Sequence, residues 1–328
     1  MYYIVLVLIL FISIQGYFRI ATRYRITDHS LDSSRNQYLI IRGAGIIFPL
    51  SVFTWWVYFQ PAADYFLLAL FLVTVVSFVD DIVTVAPQIR LAVHFVAAVI
   101  LFHSWPLLET HHIFLAILVY LSIAAWLNAF NFMDGINGLA GSYSIVAFAS
   151  FLLINRDLAL FDNRLLCSVL AAALLFTFYN FRGRARCFAG DVGSISMALI
   201  LAYVMLQLLI HTEHIPFLLF FLLFALDVFY TLIHRLLRRE NIFEPHRFHA
   251  YQLLTYNLHH SPLKVSAGIA VLQLILNALV WLNYSYRFLS GPVFFLLVLL
   301  LGSGGYLWLR IRLLDKIAVL QTRNGGIA

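Results

Sequence analysis

Four polar clusters interrupt an otherwise apolar sequence, and each carries residue types that handle phosphate or metal. In the first, Asp80-Asp81 is followed by Arg90 and His94. Two adjacent carboxylates repel, and partial desolvation makes the repulsion worse, so a divalent cation or a basic partner is expected beside them. In the second, Asn128, Asn131 and Asp134 stand at i, i+3 and i+6. On a continuous helix they lie close to one face, and Gly135 and Gly138 permit close backbone approach. In the third, Asn180 precedes Phe188-Ala-Gly190-Asp191-Val-Gly193-Ser194. That segment reads as a helix start whose N–H groups favour an anion, with Asp191 just before the helix as a carboxylate for Mg²⁺ bridged to phosphate. The fourth, Glu244-Pro-His246-Arg247-Phe-His249-Ala-Tyr251-Gln252, joins a phosphate-binding guanidinium to imidazoles that move protons near neutral pH. Singly, each also reads as a helix end, a cap or a surface loop. Together they fit one site for a metal and a polyphosphate.

The elements that must position these clusters span a bilayer. Of 328 residues, 63% are hydrophobic and 11% charged. Soluble domains carry roughly 45–50% apolar and about 25% charged residues. A helix needs about 20 largely apolar residues to cross the hydrocarbon. Eleven such spans are expected, at 2–20, 43–60, 64–80, 89–105, 113–130, 139–155, 165–181, 193–211, 215–235, 265–284 and 291–311, with ten as the lower count because some are short. The fold class is therefore all-α: a polytopic membrane helix bundle forming a single integral-membrane domain over 1–328. The loop 236–264 is the one segment large enough for a sub-structure of its own. The first stretch lacks a basic lead-in and a small-residue cleavage site, and reads as a retained helix. Cys167 and Cys187 have no metal-type spacing. His94, His103 and Asp227 are polar residues within spans, read as bundle-interior or interface positions.

Basic residues of short loops mark the cytoplasmic side. With the N-terminus outside, every Lys and Arg except Arg156, Arg164 and Arg287 falls on an inward segment, and the C-terminus is cytoplasmic. All four clusters then share the inner face. The net charge of +6 is a topological signal that suits anionic lipid or phosphate, with no reason to invoke nucleic acid.

With these motifs in order, the sequence resembles the polyprenyl-phosphate N-acetylhexosamine-1-phosphate transferases, glycosyltransferase family 4, over about residues 19–280. Asp80-Asp81 matches the paired aspartates. Asn128-x-x-Asn131-x-x-Asp134-Gly-x-x-Gly138-Leu139 matches the central motif, and Phe188-x-Gly190-Asp191-x-Gly193-Ser194 the later one, with Asn180 upstream. His246-Arg247-x-His249-x-Tyr251-Gln252 is similar to the C-terminal loop. Arg42-Gly43-Ala44-Gly45 is similar to an Arg-Gly-Gly-Gly segment, with Asp28 at its upstream Asp. The chain departs from the pattern at Asn137, commonly aspartate, and at Asn36, commonly histidine.

The resemblance implies transfer of N-acetylhexosamine-1-phosphate from a UDP-sugar to undecaprenyl phosphate in the bacterial inner (cytoplasmic) membrane, with release of UMP. Mg²⁺ is the implied metal, with Mn²⁺ as alternative, held by Asp191. Asp80, Asp81, Asp134 and His249 are the implied catalytic residues. Asn128, Asn131, Asn180, His246, Arg247 and Arg90 are the implied substrate contacts. The His94 position and the form of the C-terminal loop look most like enzymes that start O-antigen or capsule chains. The partners are the UDP-sugar, undecaprenyl phosphate and membrane lipid, with a homodimer left open. The rival readings are a non-catalytic homologue that binds lipid or nucleotide sugar, and a transporter, for which the paired broken helices of two related halves are not visible.

Overall fold

The structure, a computed structural model, describes residues 1–29, 39–103, 113–241 and 246–325. Asn36 and Glu244 lie outside the described residues. The described chain is helical apart from one ribbon, in which β1 (Thr27–His29) pairs antiparallel with β2 (Leu39–Ile41). The helices are α1 Tyr2–Tyr24, α2 Ile47–Phe59, α3 Asp64–Ile82, α4 Pro87–His103, α5 Ile113–Met133 and α6 Leu139–Leu158. They continue as α7 Asn163–Asn180, α8 Gly190–Thr212, α9 Leu222–Leu237, α10 Pro262–Tyr286 and α11 Gly291–Gly325. Among the described residues, nine helical segments are long and apolar enough to cross a bilayer, and two others, Ala44–Phe59 and Pro87–His103, are shorter and apolar. Each of the eleven expected spans coincides with one of them. The protein is a multi-pass membrane protein.

Three boundaries differ from expectation in ways that matter. Helix α8 starts at Gly190, so Asp191 lies inside its first turn rather than before it. Helix α5 stops at Met133, and Asp134 begins the following loop, its N–H donating to Asn131 O at 3.1 Å. The helical face that should have carried Asn128, Asn131 and Asp134 therefore carries only the two amides. Helix α11 continues past 311 to Gly325.

Burial sorts the helices into a core and a lipid-facing shell. In α8, 72% of the apolar window is buried, against 6% in α11. Helix α8 is the central post, with Tyr203 stacked on Phe66 of α3 at 3.9 Å and Ala198 O accepting from Trp126 of α5. The exposed faces of α1, α10 and α11 are mostly leucine, isoleucine and valine with a few aromatics, as a hydrocarbon solvent allows. Backbone that leaves helical form at membrane depth must find partners inside the protein. The 3₁₀ stretch Ile215–Phe221 before α9 does so through α10 and α6. Gln273 donates to Leu219 O at 2.9 Å and accepts from Leu223 N–H at 3.1 Å, and Tyr143 donates to Phe220 O at 3.2 Å.

Candidate functional site

The ends of α3, α5, α7 and α9 and the starts of α2, α4, α6, α8 and α10 meet at one end of the bundle. The segment Ile41–Gly45 is laced to 186–189 by backbone. Ile41 N–H donates to Arg186 O, Ala44 N–H to Phe188 O at 3.1 Å and Gly45 N–H to Ala189 O at 3.0 Å. This contact needs glycine: Gly190 has φ 72°, and a Cβ there would lie 2.5 Å from Asp81 Oδ2 and 2.6 Å from the Gly43 nitrogen. The result fixes Arg42 against the first turn of α8, with Tyr17 OH donating to Arg42 O at 2.7 Å.

The two adjacent aspartates diverge from this point. Asp81 Oδ1 accepts from Arg42 Nε at 2.7 Å and from Asp191 N–H at 2.8 Å, and Oδ2 accepts from Val192 N–H at 3.0 Å. Its carboxylate is 0% exposed. It therefore caps α8, where backbone N–H groups and the helix dipole favour negative charge. Asp80 accepts from Val85 N–H at 2.6 Å and from Arg90 Nη1 at 2.7 Å. Each aspartate thus holds one arginine, and both arginines reach across to Asp191. Arg42 Nη2 lies 3.4 Å from its Oδ1, and Arg90 Nη1 lies 3.4 Å from its Oδ2. Asn131 completes the ring by donating to Asp191 Oδ1 at 3.0 Å and to Ser194 Oγ at 2.8 Å. The Asp191 side chain keeps 16% exposure, the most of these three carboxylates. Arg90 Nη1 thereby bridges Asp80 and Asp191. Asp134 sits on the loop after α5, where burial and the carboxylates of Asp191 and Asp81 raise its pKa well above the usual range.

Other expected contacts are turned inward. Asn180 is buried, with its oxygen accepting from Gly138 N–H at 2.7 Å and its amide donating to Cys187 O at 2.8 Å. It clamps the loop after α5 to the loop before α8. Asn128 donates to Ala124 O at 2.7 Å and pairs with His94 Nδ1 at 3.3 Å, one turn deeper than Asn131. Asn137 donates to Arg182 O at 2.9 Å and contacts Gly183 O at 3.5 Å. An aspartate there would face carbonyl oxygens with no hydrogen to give, which accounts for the departure at this position.

The segment 246–257 lies over the loop after α5. Its short turn Ala250–Gln252 runs into a π-helical turn, Leu253–Asn257. Tyr251 OH donates to Phe132 O at 2.7 Å and Tyr256 OH to Gly135 O at 2.8 Å, which bolts His246, Arg247 and His249 beside Asn131 and Asp134. Arg247 is exposed, with its guanidinium 5.4 Å from the Tyr256 ring. Burial, with His249 and Arg235 nearby, pushes His246 down to about 4, so this imidazole is neutral at pH 7 rather than a cation for phosphate. His249 is buried and its Nδ1–H donates to Asp227 at 3.1 Å.

Reasoning from residue types gave Arg42 only a motif position and left Asp227 as an interior residue. The available signal for Asp227 was a carboxylate alone in an apolar span, which usually marks function.

Residues 64–209 match the model of glycosyl transferase family 4. The chain is similar to proteins named phospho-N-acetylmuramoyl-pentapeptide-transferase. It is 32% identical over 102 residues to that of Streptococcus suis (strain 05ZYH33), covering 30% of this chain and 31% of that protein. It is 26% identical over 189 residues to that of Lactococcus lactis subsp. cremoris (strain MG1363), covering 50% and 52%. It is 40% identical over 87 residues to that of Staphylococcus carnosus (strain TM300), covering 25% of each. The matched length is thus between a quarter and about half of these relatives.

Proposed function

With residues 64–209 belonging to glycosyl transferase family 4, we propose that the chain transfers a sugar-1-phosphate from a UDP-N-acetylhexosamine to undecaprenyl phosphate. An oxygen of the lipid phosphate forms a bond to the β-phosphorus of the donor as the bond to UMP breaks. The observation that carries this reading is the ring around Asp191. Two guanidiniums, a helix N-terminus and an excess of carboxylates, four (Asp80, Asp81, Asp134, Asp191) against two (Arg42, Arg90), converge at one membrane end. Phosphoryl transfer needs positioning and neutralisation of charge more than covalent chemistry. Arg42 and Arg90 are about a third exposed and would offer forked donors to phosphate oxygens.

The residues fit a divalent cation shared with the substrate. Arg90 bridges Asp80 and Asp191, and Arg42 pairs with Asp81, so the two guanidiniums leave the excess negative charge of Asp134 and Asp191 for a cation. Among the described residues no three His, Cys, Asp or Glu side chains form a cage. Mg²⁺ usually takes one or two carboxylates and completes its shell with water and phosphate oxygens. Asp191 would hold it, with Asp134 nearby, and Mn²⁺ would bind the same oxygens. When bound, the ion supplies charge neutralisation on the diphosphate. Asp81 keeps α8 and Arg42 in place, Asp80 keeps Arg90 in place, and Arg247 is the exposed cation for the sugar-phosphate end.

For the glycan, the form of the loop His246-Arg247-Phe-His249 supports an N-acetylhexosamine that initiates O-antigen or capsule. A second reading, a muramoyl-pentapeptide donor, is favoured by the printed name of the relatives. The membrane is the bacterial inner membrane, with the N-terminus outside and the C-terminus cytoplasmic. The test incubates purified protein with Mg²⁺, undecaprenyl phosphate and UDP-N-acetylglucosamine, UDP-N-acetylgalactosamine or UDP-N-acetylmuramoyl-pentapeptide, and follows UMP. UMP release that needs lipid and metal is expected with one of the first two donors. Release only with the third moves the protein to the second reading, and release with none overturns the reaction.

A further inference from the structure

Asp227 lies in the apolar helix α9, and its side chain is only 4% exposed. One of its oxygens, Oδ1, accepts from four donors. They are Tyr306 OH at 2.9 Å, Ala250 N–H at 3.0 Å, His249 Nδ1–H at 3.1 Å and Thr231 OH at 3.2 Å. Arg310, 3% exposed on α11, donates Nη1 to Thr231 Oγ1 at 2.9 Å and to Tyr306 OH at 3.2 Å. The direction of this chain is forced. Each hydroxyl accepts from Arg310 and has one hydrogen left, for which the Asp227 carboxylate is the nearest acceptor. A carboxylate has no hydrogen to give, so Nδ1 of His249 must be the donor. The neutral ring is then the Nδ1–H tautomer, with the lone pair on Nε2. Nε2 is buried without a hydrogen-bond partner. The rings beside the His249 imidazole, centre to centre, are His246 at 5.0 Å, Tyr251 at 5.7 Å and Phe132, the neighbour of Asn131, at 6.3 Å.

We propose that Asp227, anchored from the C-terminal helix by Tyr306 and Arg310, is a positioning residue that holds His249 in the Nδ1–H tautomer, so that Nε2 accepts from an O–H of the substrate. The proposal rests on the transfer reaction above. A buried acceptor without a partner destabilises the free protein, and a substrate hydrogen removes that cost. The group that offers it is either the P–OH of a monoanionic phosphate ester or a sugar hydroxyl. A carboxylate on the far nitrogen fixes the ring's orientation and raises the basicity of the near one, the arrangement seen wherever a carboxylate–histidine pair serves catalysis. In P–OH form the step is balanced: the O–H bond breaks, the Nε2–H bond forms, and the imidazolium sits against Asp227. Helix α11 has a task in this pairing. Its apolar length faces lipid, yet Tyr306 and Arg310 turn inward to the one carboxylate in α9.

The test is solid-state NMR of protein labelled with ring-¹⁵N histidine in lipid bilayers. The His249 signal is identified by its loss in His249→Gln. The expected wild-type spectrum shows a protonated Nδ1 and a bare Nε2 at neutral pH. Asp227→Asn keeps an acceptor oxygen but loses the charge. It should mix the tautomers and lower kcat about 10- to 100-fold, the usual effect of losing such a partner. Tyr306→Phe should give a smaller loss in the same direction. A rise in KM confined to the lipid phosphate assigns the O–H to that substrate, and one confined to the UDP-sugar assigns it to a sugar hydroxyl. A wild-type Nε2–H tautomer overturns the proposal, as does an Asp227→Asn protein unchanged in both tautomer and kcat. Should Asp227→Asn not fold, Asp227→Leu with Arg310→Met removes both charges together and is read the same way. If the wild-type protein releases no UMP from any donor, the reaction fails while the spectrum still decides the Asp227–His249 pairing.

Discussion

Replacing Asp191 by asparagine should separate chemistry from folding, because the two effects have different sources in the structure. The side chain keeps its shape, and the remaining oxygen can still accept from Asn131, now at 3.0 Å. What is lost is charge. The two contacts to Arg42 and Arg90 are long, 3.4 Å each, and both arginines are about a third exposed. Pairs of that kind contribute roughly 0–1 kcal/mol each. Against this, removing one carboxylate relieves its repulsion with the buried carboxylate of Asp81. Net stability should change by no more than about 1 kcal/mol. Activity should change far more. If Asp191 holds the cation that neutralises the diphosphate, several kcal/mol of transition-state stabilisation disappear. A loss of ~4 kcal/mol is a factor of about 10³ in rate. The assay is UMP release across a Mg²⁺ titration, with thermal unfolding of the same preparations in parallel. An Asp191→Asn protein that unfolds normally and keeps more than about a tenth of wild-type activity would refute the reasoning. Asp81→Asn is the control with the opposite profile. There the amide nitrogen takes the place of one acceptor oxygen, facing Val192 N–H while the remaining oxygen keeps Arg42 and Asp191 N–H, and the charge is lost, so the melting point should fall, with a cost of about 2–4 kcal/mol for a buried charge-assisted network.

Asn180→Leu leaves Gly138 N–H and Cys187 O without partners, and should cost about 1–3 kcal/mol for each buried group, read as a lower melting point. Asn137→Asp places a carboxylate against the Arg182 and Gly183 carbonyls and should destabilise by about 1–2 kcal/mol; a gain in stability would show that the donor role assigned to Asn137 is wrong. Burial pushes the Cys187 thiol up to about 12. Reaction with a maleimide needs the thiolate, so labelling of Cys187 at pH 8 should be negligible until the protein unfolds, and rapid labelling of the native protein would contradict the buried position. A reporter fused after Arg239 should read as cytoplasmic and one after Arg287 as external; the reverse pair would invert the bundle and place the site on the other side.

The spans were legible because bilayer burial imposes a long, simple pattern on sequence, and eleven apolar stretches became helices. Their ends were less legible, since one or two residues there depend on who caps whom. Nothing local says that α8 begins at Gly190; the reason is Asp81, more than a hundred residues earlier, accepting the N–H groups of Asp191 and Val192. The convergence of the polar clusters was also readable, because polar residues at helix ends on one side of a membrane have only one place to meet. Which member of each cluster faces outward was not. Asn180 and Asn131 are the same residue type at neighbouring positions in the site, yet one is enclosed between two backbone groups and the other is aimed at Asp191. That distinction is decided by which loop carbonyl or amide lies within 3 Å, a tertiary fact.

The paired aspartates show how the arrangement resolves a conflict that their sequence poses. Side by side at a helix end, both cannot point toward the same anionic ligands without repulsion. The backbone sends Asp81 into the start of α8 and Asp80 toward α4, and each is matched to its own arginine. The arginines, not the aspartates, are then the groups left about a third exposed around Asp191. A pair of carboxylates so placed serves phosphate binding indirectly, by fixing two cations at 3.4 Å from a third carboxylate. It follows that Arg42→Lys should be poorly tolerated although the charge is kept. A lysine offers a point charge and cannot hold Asp81 through Nε while reaching Asp191 through Nη2. The variant should lose about 10-fold or more in kcat/KM, about 1.4 kcal/mol, with the change in the donor's KM larger than any shift in melting point. A lysine variant with wild-type KM would show that the forked contact is dispensable and that charge alone holds the site together.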